Sequence, residues 1–76
     1  MKVIKSVQTG RCIKEVMNSR GITVRECASK LHVTEQSVYH WRSGRSLPSL
    51  EVFVNLGDYV GVSFERMLVY EERGDQ

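Results

Sequence analysis

Cysteine is scarce in this chain: Cys12 and Cys27 are the only two, with no repeating framework around them. A secreted scaffold of this size held by disulfides normally carries several pairs, so these two read as small buried hydrophobes in a reducing environment. Long apolar runs are missing as well. No stretch approaches the roughly 20 residues that a membrane-spanning helix needs. The opening MKVIKSVQTG carries Lys2 and Lys5 and reaches the polar Gln8 and Thr9 without a sustained apolar stretch, which is not the pattern of a signal peptide. A soluble, cytoplasmic protein with no membrane partner is the expectation.

Catalytic equipment is equally thin. There is no Gly-rich phosphate loop and no nucleophile with an evident base, and 76 residues leave little room for a deep pocket. Glu15, Glu26 and Glu51 read as ordinary solvated helix positions. Four side chains could in principle bind zinc, namely Cys12, Cys27, His32 and His40. Their spacing fits none of the usual ligand pairs, and the two cysteines fall on or near apolar stripes. Neither enzymatic activity nor a metal, cofactor or small-molecule ligand is expected.

The chain does have an uneven charge distribution. Residues 1–45 hold nine Lys/Arg against three Asp/Glu, a balance of +6, while residues 46–76 hold two against six, a balance of −4. A basic face and an acidic remainder follow, and an anionic polymer is the natural partner of the basic half. A merely solvated charged surface would give the same totals.

Polar and glycine punctuation divides the sequence at Thr9-Gly10, Arg20–Thr23, His32–Thr34, Gly44–Ser49 and Gly61–Ser63. Such short gaps between segments of about 8 to 12 residues suit packed helices better than strands. Ile13, Val16 and Met17 form the first amphipathic stripe. Thr23 caps a second helix with Val24, Cys27, Ala28 and Leu31 inward, and Thr34 caps a third. Ser49, after Pro48, caps a fourth with Leu50, Phe53, Leu56 and Val60 inward, although Gly57 weakens it. Ser63 opens a fifth, short helix that presents Phe64, Met67 and Leu68. Val3, Ile4 and Val7 fit either a strand or a helical turn, and the charged tail VYEERGDQ is expected to fray. A single domain results, with its core over residues 10–68 and with residues 1–8 and 71–76 accessory.

The third helix carries the argument. At about 100° per residue, Glu35, Gln36, Tyr39, His40 and Ser43 share one arc, with Arg42 beside Glu35, and Val38 and Trp41 lie opposite. A buried indole fixes which way the polar arc points. That arc uses directional hydrogen-bonding groups in place of the Lys/Glu pairs of a plain solvated surface. Gln36 suits adenine, Glu35 suits the amino group of cytosine, and Tyr39 reaches a phosphate or a thymine methyl.

With the loop SGRSLPS following these helices, the stretch from about Gly10 to Leu68 resembles the Xre or Cro/repressor-type helix-turn-helix proteins. The resemblance runs through Ile13, Gly21, Ala28, Leu31, Val33, Thr34, Ser37, Val38, Gly44, Pro48, Leu50, Leu56, Val60-Gly61-Val62-Ser63 and Leu68. It implies an all-α, five-helix, lambda-repressor-like domain in which residues 23–31 lie across a DNA backbone and residues 34–43 enter the major groove. By the same resemblance Thr34, Glu35, Gln36, Tyr39 and His40 face bases, whereas Thr23, Arg25, Arg42, Ser43, Arg45 and Ser46 face phosphates. Three positions depart from the family pattern. Val24 stands where a Gln is usual, so Arg25 or Thr23 is left to make that contact. Met17 and Arg42 replace an Arg and a Glu that often pair, and Gly57 replaces a small alanine.

A sequence-specific regulator of transcription, a repressor of phage or bacterial origin, is the expectation. Two recognition helices one turn of DNA apart imply a homodimer on a palindromic site, with Met67, Val69 and Tyr70 as the contact surface, while Phe64 and Leu68 belong to the core. The alternative is a protein-interaction module on the same fold, of the antitoxin or antirepressor kind.

Overall fold

The computed structural model describes residues 1–74. Strand β1 (Lys2–Ile4) leads into helix α1 (Ser6–Ser19), followed by α2 (Val24–Leu31), α3 (Glu35–Ser43), α4 (Leu50–Val60), the short α5 (Phe64–Met67) and strand β2 (Tyr70–Glu72). Five helices stand as the sequence predicts, and a small two-stranded sheet is added to them.

Local chemistry sets the starts of α2, α3 and α4. The Thr23 hydroxyl accepts the N–H of Glu26 at 3.1 Å, and the Glu26 carboxylate accepts the N–H of Thr23 at 3.1 Å, so two otherwise unpaired donors are satisfied reciprocally. Thr34 accepts from the N–H of Ser37 at 3.0 Å, and Ser49 from that of Val52 at 3.3 Å. Left-handed residues end the same three helices: His32, Gly44 and Gly61.

The start of α1 departs from expectation. Thr9-Gly10 reads as punctuation, yet both residues are buried inside a helix that begins at Ser6. Gly10 is there for proximity: a Cβ on it would collide with the carbonyl oxygen of Trp41. Gly57 works in the same way within α4, where a Cβ would lie 2.8 Å from the carbonyl of Val62 and 2.9 Å from the nitrogen of Phe64. The returning chain therefore packs directly on the α4 backbone.

The core gathers Ile13 and Met17 from α1, Val24 and Cys27 from α2, Val38 and Trp41 from α3, Phe53, Leu56 and Val60 from α4, and Met67 from α5. Phe64 stacks at a tilt on Phe53, with ring centroids 5.6 Å apart, and Leu68 packs at the core's edge. Both keep the core role assigned to them.

The tail that charge predicts to fray is paired over residues 70–72. β1 and β2 run antiparallel, with Val3 opposite Glu71 and Ile4 opposite Tyr70. The N–H of Lys5 reaches the carbonyl of Val69 at 2.8 Å, and the N–H of Val69 reaches the Thr9 hydroxyl at 2.9 Å. These bonds supply the partners that a three-residue strand lacks on its own. The ambiguous N-terminal segment is thus strand and helix in succession. The last two residues of the expected frayed tail, 75 and 76, lie outside the described residues.

Candidate nucleic-acid interface

Direct contact between α1 and α3 orients the site. With no side chain at Gly10, the C-terminal turn of α3 comes down on α1, and Trp41 (4% exposed) and Val38 close the core beneath it. The opposite face of α3 is consequently bare. Glu35, Gln36 and Ser43 are exposed, and Tyr39 is 56% exposed although it is aromatic. His40 is half-buried at the margin of this face.

Hydrogen bonding separates groups that residue type alone would rank together. The Thr34 hydroxyl accepts the Ser37 N–H and lies 2.8 Å from the Ser37 hydroxyl, so capping already employs it. Ser43 turns its proton inward, donating to the carbonyl of His40 at 3.1 Å. The same carbonyl accepts the Arg45 N–H at 2.9 Å, which anchors the loop after α3. Among the described residues, the side chains of Gln36 and Glu35 make no such internal bond. Among the described residues, the ion pairs all lie at the joined termini, and Glu35 enters none.

The candidates for phosphate contact reach the surface as well. Arg25, Arg45 and Ser46 are exposed, and Arg42 is half-buried with its guanidinium carbon 5.9 Å from the centroid of the Tyr39 ring. At the start of α2, Thr23 is fully engaged in the capping box. The bonds from its N–H and hydroxyl hold the Glu26 carboxyl below the usual carboxylate range. A negative charge thus sits where a phosphate would approach that helix end, and Arg25 is the cation left to offset it.

Two features went unread in the sequence, the place of Lys14 and the conformation of His32. Lys14, on α1, lines a groove with Tyr39, Arg42 and Ser43. Its only signal is its place beside the inward Ile13 and Met17. His32 holds φ 56° and ψ 43° at the end of α2, a conformation that side chains other than Gly or Asn adopt at a cost.

Among the described residues, no three His, Cys, Asp or Glu side chains gather to hold a metal ion. Burial pushes the Cys27 thiol up, against the opposing pull of Arg42. No described helix is long and apolar enough to cross a membrane.

The expected dimer surface is revised. Met67 is 1% exposed, because α5 turns it under α1 and α4, so it belongs to the core. Val69 is half-buried and tied to Thr9 and Lys5. Tyr70 stays exposed, opposite Ile4, with the Lys2 ammonium 5.4 Å from its ring centroid.

Two short helices joined by a tight turn, the second anchored by an aromatic side chain and polar outward, define a helix-turn-helix protein. The family model HTH_3, described as helix-turn-helix, matches residues 13–67, and the chain belongs to that family, of the Xre type. No curated protein matches it in sequence. The fold is similar to that of the clp gene regulator ClgR from Corynebacterium glutamicum, with a TM-score of 0.76 and 21% identity over 82% of this chain and 66% of that one. It is also similar to the restriction-modification controller protein C.AhdI from Aeromonas hydrophila (TM-score 0.74, 16% identity, 80% of this chain and 92% of that one). A third similar structure is SinR, master regulator for biofilm formation, in complex with DNA (TM-score 0.71, 20% identity, 78% and 95%). At these identities the likeness is one of fold.

Proposed function

We propose that this chain binds duplex DNA in a sequence-specific way and regulates transcription, as a homodimeric repressor on a palindromic operator, and that it is not an enzyme. The carrying observation is the face of α3. Glu35 and Gln36 project from a helix locked by Trp41, and among the described residues their side chains enter no hydrogen bond or ion pair. Groups placed in this way match base edges in a major groove. Gln36 pairs with adenine and Glu35 with the amino group of cytosine, while Thr34 and His40 lie at the margins. Tyr39 stands on the same face with the Arg42 guanidinium over its ring. Arg25, Arg42, Arg45 and Ser46 hold the backbone, with Ser43 and Thr23 secondary because their hydroxyls are engaged internally.

One recognition helix reads few bases, so two copies one turn of DNA apart supply the specificity. Tyr70, with Val69 behind it, remains the proposed contact between copies, and Met67 is withdrawn. A cytoplasmic location follows from this reading.

A second reading, a protein-interaction module, draws on the acidic groups at the two helix starts, Glu35 and Glu26, which oppose phosphate. Selection of bound duplexes from a random library, followed by a salt series on the winner, decides between them. DNA binding gives a consensus and an affinity that falls steeply as salt rises. Failure to retain any duplex at low salt would overturn the proposal.

A further inference from the structure

Two cations from different helices meet at the C-terminal half of the recognition helix. Lys14 of α1 and Arg42 of α3 line one open groove of about 240 Å³ with Tyr39 and Ser43. Among the described residues, no carboxylate lines it. Neither cation enters an ion pair among the described residues. The Arg42 guanidinium lies over the Tyr39 ring, which braces it and covers one aromatic face. Ser43 offers only acceptor lone pairs to the groove, because its proton is spent on the His40 carbonyl.

We infer that this groove is a phosphodiester site. Lys14 and Arg42 are the ligands of one backbone phosphate, and Tyr39 is the platform that positions Arg42, not a reader of bases. The inference rests on the DNA-binding reading and deepens it by assigning Lys14, a residue outside the helix-turn-helix, to the interface. Its charge chemistry fits a phosphodiester: two cationic donors line one groove, and the guanidinium is braced by an aromatic ring. A guanine edge would also take two donors, but reading it would change the selected consensus, whereas a phosphate contact weakens all sequences alike.

The test is equilibrium binding of the full chain to its selected duplex across a salt series, with K14Q, Y39F and Y39A compared to wild type. K30Q serves as the control, since Lys30 sits over Tyr59 on the α2–α4 side. Lys14 and Tyr39 are exposed, and thermal melts check that the variants fold. K14Q should bind every duplex about three- to tenfold more weakly, and its log-affinity against log-salt slope should be shallower by about 0.9. K30Q and Y39F should keep the wild-type slope. Y39A should weaken binding evenly across sequences while leaving the selected consensus intact.

A wild-type slope in K14Q, or a consensus altered at one base pair in Y39A, overturns the phosphate site and leaves the DNA reading standing. Absence of any wild-type binding overturns both.

Discussion

At the scale of single residues, Trp41 decides what Gln36 can do. The indole is inside, the amide is five positions earlier on the same helix, and the helix cannot rotate about its axis without exposing the ring. Trp41→Ala should cost about 3–5 kcal/mol, a large share of a small domain's stability, read in a thermal or denaturant melt. A melting temperature near wild type would mean that α3 is held by something else. Gln36→Ala leaves the fold alone and should relax preference at one base pair, about 1–3 kcal/mol of discrimination. An unchanged consensus in a binding-site selection would remove Gln36 from the readout. Both placements, indole inside and amide outside, were legible because helical spacing alone separates the two faces. The fate of Ser43 and Met67 was not. Their types suggest ligands or contacts, but a hydroxyl's partner and the inward turn of α5 depend on atoms the pattern does not specify.

Among the elements, those closed by local chemistry were read most closely. The capping side chains of Thr23, Thr34 and Ser49 sit within three residues of the amides they bond. By contrast, α1 begins after Lys5, whose side chain makes no capping bond, and it contains a glycine that imitates a break. Its purpose appears only when α3 is laid against it. The end of α2 holds a related surprise. His32 turns left-handed so that the N–H of Val33 can reach the carbonyl of Ala28 at 3.0 Å, closing the helix and aiming the chain into α3. A non-glycine residue gives up about 1–2 kcal/mol in that conformation. His32→Gly should therefore stabilise the domain by roughly 0.5–1 kcal/mol after the added chain entropy of glycine is subtracted. Chemical denaturation measures the difference. A destabilised variant would show that the imidazole contributes packing that outweighs its backbone strain.

For the whole molecule, the decisive feature is that the two ends of the chain are joined, which no local pattern announces because the partners are about 68 residues apart. The join has a buried centre and an ionic rim. At the centre, Thr9 is fully buried; its hydroxyl accepts the Val69 N–H at 2.9 Å and lies 3.4 Å from the Val69 carbonyl. At the rim, the Met1 amino group pairs with Glu72 at 3.1 Å, and Glu71 with Arg73 at 2.7 Å. The Arg73 hydrogen bond, with Lys5 nearby, holds the Glu71 carboxyl below its ordinary range. A depressed carboxyl stabilises the fold above its unfolded value and loses that effect as pH falls through the folded one, so acid should loosen the rim. These charges are exposed and their effect is small. The centre matters more. Thr9→Val keeps the shape and removes the acceptor, leaving the Val69 N–H unpaired at a cost of about 1–3 kcal/mol. Amide exchange at Val69 and across residues 2–4 and 70–72 should then accelerate, while α2 and α3 keep their protection and duplex binding persists. Equal acceleration throughout the domain would mean that the joined ends and the helices open as one unit, so that holding the termini together is a condition for presenting α3 at all.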